Sequence, residues 1–138
     1  MISIILQQEA IDAASIIGQA GTAADGAVVS FTGRVRTPSR EKTVLSIDYE
    51  VYGEMAQKQL RKIAEEACSR WPLSHCTIVH RYGSVAVGEA SIVIVASSPH
   101  RKEAFQAVQF IIDTVKEEVP IWKKEFYSDG SNWVHEKE

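Results

Sequence analysis

Two segments of this chain carry an apolar stripe at helical spacing, and the extended segments around them follow one another without an intervening helix. That order constrains the fold more than any other feature. From Glu54 to Trp71, the residues Ala56, Leu60, Ile63, Ala67 and Trp71 share one helical face, and Pro72 ends the run. From Pro99 to Glu118, Ala104, Val108, Ile111 and Val115 do the same, with Ser98 suited to the N-cap and Pro99 to the first helical position. A shorter helix is predicted over Gln8–Gly18, with Ile11, Ala14 (or Ser15) and Ile17 at helical spacing and Gly18 as the stop. Leu45, Ile47, Tyr49 and Val51 alternate with Ser46, Asp48 and Glu50, the period of a strand with one wet face. Further strands are predicted at Ile2–Leu6, Ala27–Phe31, Thr77–Tyr82, Ser91–Ala96, Ile121–Tyr127 and Asn132–Val134. Gly83 and Gly88 mark a connection, and Asp129-Gly130 a hairpin turn. The order β-α-β-β-α-β-β-α-β-β predicts an α+β fold, a mostly antiparallel or mixed sheet covered by helices. The segment Thr37–Thr43, with Pro38, Ser39 and three charges, reads as a mobile loop, and the charged tail His135–Glu138 as frayed.

The 138 residues suit one domain spanning 1–138. A net charge of −3 argues against a broad nucleic-acid face but leaves room for a local basic pocket. Cys68 and Cys76 are too few for a disulfide framework or a zinc site and read as reduced thiols. The apolar start Met1–Leu6 lacks the pattern of a signal peptide, and no run is long enough to span a membrane. The expectation is a cytoplasmic protein with no membrane or nucleic-acid partner.

Three clusters can carry chemistry. Lys116 and Lys123 flank Pro120 in a segment otherwise built for burial, Pro120-Ile121-Trp122-Lys123-Lys124-Glu125. Lysines crowded on apolar ground repel one another and lose hydration, which favours the neutral, reactive amine. The competing reading puts Trp122 in the core and the lysines in water. The second cluster is Ser97-Ser98-Pro99-His100-Arg101-Lys102, where basic residues meet the free N–H groups of a helix start and form an anion site. An ordinary capped helix is the alternative. The third is Thr32-Gly33-Arg34-Val35-Arg36, whose two guanidiniums point the same way in an extended chain and suit a phosphate or carboxylate. A solvated basic loop is the alternative. His75 and His80 lack ligand partners at metal spacing, and no phosphate-loop motif occurs. Arg101 and Lys116 lie 15 residues apart on one helix, about 22 Å along its axis. A small ligand touching both needs two chains, hence a symmetric dimer with composite sites.

Taken together, these segments resemble the large, catalytic subunit of molybdopterin synthase. The resemblance runs through Val29–Arg36, Tyr49-Glu50-Val51-Tyr52, His80-Arg81-Tyr82-Gly83, Val87-Gly88-Glu89, Ser97–Arg101, Pro120–Glu125 and Asp129-Gly130 with Trp133-Val134. It implies an α/β hammerhead-type fold and a central homodimer within a heterotetramer. The implied partner is a small ubiquitin-like sulfur-carrier subunit whose C-terminal Gly-Gly thiocarboxylate enters the pocket. The implied substrate is cyclic pyranopterin monophosphate, which two sulfur transfers convert to the dithiolene of molybdopterin, without metal or cofactor. The implied substrate-binding positions are Arg34, Val35, Arg36, His100, Arg101, Lys116, Lys123, Lys124 and Glu125. Lys116 and Lys123 are the implied catalytic pair. A docking module without chemistry and a phosphotransferase are the competing classes.

Overall fold

The computed structural model describes residues 1–37, 44–51, 53–127 and 130–134, the last five as backbone. The rest of the loop after Thr37, Asp129 of the hairpin turn and the tail His135–Glu138 lie outside the described residues. In chain order the elements are β1 (Ile2–Gln7), α1 (Ala13–Gly18), β2 (Ala27–Arg34), β3 (Val44–Val51), α2 (Gly53–Arg70), β4 (His75–Arg81), β5 (Gly83–Ala86), β6 (Ala90–Ser98), α3 (Arg101–Glu118), β7 (Ile121–Tyr127) and β8 (Gly130–Val134).

The strands form two sheets of four, ordered β1-β4-β6-β2 and β5-β3-β7-β8. Among the described residues only β1 and β4 pair in parallel; every other neighbour is antiparallel. This is the mixed α+β architecture that the order of elements predicts. The helices α2 and α3 lie on the first sheet. Leu60, Ile63, Ala64 and Ala67 of α2 and Ala107, Val108, Ile111 and Val115 of α3 join Ile78, Ile94 and Ala96 in the main core. A second, smaller core packs Val35, Val44, Ile47, Tyr49, Val85 and Tyr127 about the second sheet. No helix among the described residues is long and apolar enough to cross a membrane.

Four expectations need correction. The first helix is shorter than Gln8–Gly18, because the Asp12 carboxylate accepts from the Ser15 N–H and starts it there. The helix after Pro99 begins two residues late: His100 is the N-cap and Arg101 the first helical residue, and Ser98 turns its hydroxyl to the His100 carbonyl instead of capping. The Gly83…Gly88 connection contains a strand, β5, which leaves the first sheet and pairs with β3 in the second. Leu45 is 54% exposed while Val44 and Ile47 are buried. A register shift between Val44 and Ser46 in the pairing with β7 breaks the strict alternation and turns Leu45 outward.

Arg81 locks the joint between the sheets. Its buried guanidinium donates to the carbonyls of Gln8 and Ser84 and reaches Glu89 at 3.4 Å. The Glu89 carboxylate also accepts from the Ala86 N–H at 2.9 Å, which holds it below the ordinary carboxylate range.

Candidate active site

A cavity of about 320 Å³ opens where the end of α3 turns into β7. Lys116 stands in the last turn of α3, where a cation complements the negative end of the helix dipole. Val119 closes the helix by donating to the Val115 carbonyl, and Pro120 prevents its continuation. The chain re-enters as β7, and Lys123 faces the same cavity from there. The proline break thus lets a helical and a strand lysine share one space.

Alternation along β7 decides which side chains enter. Lys123 is 9% exposed and Trp122 39%, the reverse of a core tryptophan between solvated lysines. Glu125 and Tyr127 follow Lys123 on the buried face, and the Tyr127 hydroxyl donates to Glu125 at 3.2 Å. Lys124 belongs to the opposite face, its Nζ 5.6 Å from the centre of the Phe126 ring. Of the sequence-derived set, Lys124 is therefore not brought to the cavity.

A second chamber of about 70 Å³ adjoins the first, and both are lined by Tyr49, Ser91, Ile92, Lys116 and Lys123. Arg34, Val35, Arg36 and Glu125 line only this smaller chamber. The pairing of β2 with β6 shifts register between Gly33 and Arg34, which redirects the chain as it leaves the sheet. Val35 is then pinned by backbone bonds to Gly88 and Glu89 and buries its side chain. Arg34 Nε donates to the Gly88 carbonyl at 2.9 Å, which commits part of this guanidinium to the fold. Arg36, exposed beyond it, presents the second guanidinium.

His100 and Arg101 stand at the opposite end of α3, exposed, and line neither chamber. The geometry thus gathers Arg34, Val35, Arg36, Lys116, Lys123 and Glu125 and leaves His100, Arg101 and Lys124 apart.

Two cavity residues escape the sequence reading. His80, buried on β4, sits edge-on to Tyr49 with ring centres 5.6 Å apart. A carbonyl only accepts, so the 2.7 Å contact with the Arg81 oxygen puts the imidazole proton on Nδ1 and the lone pair on Nε2. Burial, reinforced by the positive charges of Lys116 and Lys123, lowers its pKa to about 4, so the ring is neutral at physiological pH. Its sequence signs were its place inside the apolar run Thr77-Ile78-Val79-His80 and in the resemblance segment His80-Arg81-Tyr82-Gly83, neither of which marks it as a site residue. Gln59 of α2 also lines the larger chamber, and its buried Oε1 has no hydrogen-bond partner. Nothing in the sequence separates it from the other polar residues of α2.

Neither cysteine lines the cavity. Burial pushes the Cys76 thiol up to about 12 and raises that of Cys68 as well. Such thiols are poor nucleophiles and poor sulfur carriers. Among the described residues no group of three or more His, Cys, Asp or Glu is arranged to hold a metal ion.

Comparison with known proteins agrees with this arrangement. The profile of the family described as MoaE protein matches residues 6–118. The chain is 45% identical over 113 residues to the molybdopterin synthase catalytic subunit of Homo sapiens, covering 82% of this chain and 60% of that protein. The crystal structure of molybdopterin synthase from Staphylococcus aureus superposes with a TM-score of 0.87 at 39% identity, over 96% of this chain and 95% of that one. A structure from Helicobacter pylori, described as a complex of subunits 1 and 2 of molybdopterin-converting factor, shares the fold with a TM-score of 0.78 at 21% identity, over 96% of this chain and 89% of that one. A fold of two sheets with a lysine-bearing cavity between helix and strand, and a profile match across most of the chain, place this protein in the MoaE family of molybdopterin synthase catalytic subunits.

Proposed function

We propose that this chain catalyses sulfur transfer from the thiocarboxylated Gly-Gly terminus of a small ubiquitin-like carrier subunit to cyclic pyranopterin monophosphate, forming the dithiolene of molybdopterin. The observation that carries the reading is the meeting of Lys116 and Lys123 at the junction of two chambers. Both reactants bring negative charge, and the junction offers cations from two directions. The arginine-bearing chamber suits the substrate phosphate, because guanidinium binds phosphate through paired hydrogen bonds. Lys123, buried beside the neutral His80, acts as general acid and base during sulfur addition and loss of oxygen. Lys116 stabilises the developing oxyanion or holds the carrier terminus. Sulfur arrives on the partner, in keeping with a buried Cys76 and a partly buried Cys68 whose thiols are both poorly acidic.

The working unit is a homodimer with a carrier at each end. His100 and Arg101, too far along α3 to reach their own Lys116, complete the site of the second copy and hold phosphate or pterin. The Helicobacter pylori complex of subunits 1 and 2 of molybdopterin-converting factor supports a two-subunit assembly. The decisive test mixes the purified chain with thiocarboxylated carrier and the cyclic pterin and follows dithiolene formation. Turnover by the wild type, with losses of about 10²-fold or more in Lys123→Ala and Lys116→Ala, is expected. Full turnover in both variants would refute the lysine assignment.

A further inference from the structure

We propose that Gln59 and His80 form a pair of hydrogen-bond acceptors in the larger chamber that takes backbone N–H groups of the carrier's peptide end. The inference rests on the sulfur-transfer reading and says which chamber receives which reactant. Two chambers joined at one pair of cations suit a reaction between two bound partners. Their linings differ in kind. The smaller adds Arg34 and Arg36, the groups for a phosphate. The larger has no guanidinium and adds apolar walls such as Ile112, Val119 and Ile121.

The larger chamber also holds two acceptors that the smaller one lacks, on Gln59 and His80. Gln59 Oε1 is buried with no partner, a position that costs stability until a donor arrives. His80 spends its only proton on the Arg81 carbonyl, so its second nitrogen can only accept. Neutrality of the ring keeps that acceptor available across the physiological range. A peptide C-terminus carries the complementary set in the right order: an anionic end for Lys116 and Lys123, with amide N–H groups behind it. A phosphorylated substrate needs donors at its charged end and finds them in the other chamber.

The test removes one N–H at a time. Carriers with a C-terminal carboxylate are made by semisynthesis with the last or the penultimate amide bond replaced by an ester, which keeps the shape and deletes the donor. Their affinity for the dimer is measured by calorimetry against the all-amide carrier. In the wild type at least one ester is expected to bind about tenfold more weakly, and the loss should shrink to under about twofold in Gln59→Met or His80→Phe. Gln59 lies on a helix and methionine keeps helix propensity, so this arm does not depend on His80→Phe folding. Equal affinity of both esters and the amide carrier for the wild type would overturn the proposal. So would an ester loss that persists undiminished in both variants. A rise in KM for the cyclic pterin in Gln59→Met with carrier affinity unchanged would also overturn it, by assigning the acceptors to the other reactant. Failure of the wild type to bind even the all-amide carrier would instead bring down the sulfur-transfer reading itself.

Discussion

Burial makes His80 a neutral residue in the fold and a basic one in the unfolded chain, and that difference is measurable. Its pKa falls from 6.5 to about 4 on folding, so the unfolded chain binds a proton that the folded one refuses between those values. Its contribution to stability is full above about pH 6.5, is lost as pH falls towards 4, and amounts to roughly 3 kcal/mol. Denaturant unfolding from pH 7 to pH 4 should show this slope in the wild type and a flatter one in His80→Gln. An unchanged slope would mean that His80 is solvated in the folded protein. At the same scale, Lys123 and Lys124 are adjacent in sequence and on opposite faces of β7. Lys124→Ala should lose far less activity than the roughly 10²-fold or greater loss expected of Lys123→Ala in the dithiolene assay. Residue types and the resemblance made both lysines candidates. Only the phase of the strand, set by pairing with β3, separates them.

The elements that hold the site were legible in the sequence where one hydrophobic period ran unbroken. The stripes of α2 and α3 are buried as their spacing requires, and β7 spans Ile121–Tyr127 as its pattern does. Reading failed where pairing overrode local pattern. The four residues of β5 carry too short a pattern to announce a strand, and the irregularity in β3 moves Leu45 to solvent although its alternation says otherwise. The turn after β5 also supports the arginine chamber. Gly88 has φ +89°, and a Cβ there would stand 3.4 Å from the Arg34 guanidinium. Gly88→Ala should cost about 1–2 kcal/mol from the left-handed backbone alone, read as a lower thermal midpoint. Because the Gly88 carbonyl also accepts from Arg34, the same variant should raise KM for the cyclic pterin. A lowered midpoint with KM unchanged would detach this turn from the site.

At the scale of the whole molecule, one chain carries two basic centres at the two ends of α3, with its lysine cavity at only one of them. Helix length was readable from the sequence, and with it the conclusion that His100 and Arg101 cannot serve the Lys116 of their own chain. The chambers were not readable, since they arise from the meeting of α3 with both sheets. A site shared between copies makes a demand that a site within one chain does not. Arg101→Ala and Lys116→Ala proteins should each be nearly inactive alone, because each breaks both sites of its own dimer. Mixed in equal amounts and allowed to exchange subunits, they form hybrids with one intact site each, and about a quarter of wild-type dithiolene formation should return. Exchange is verified by native mass spectrometry of isotope-labelled subunits. Recovery near that level is the expected result; no recovery despite verified hybrids would contradict a site built from two chains.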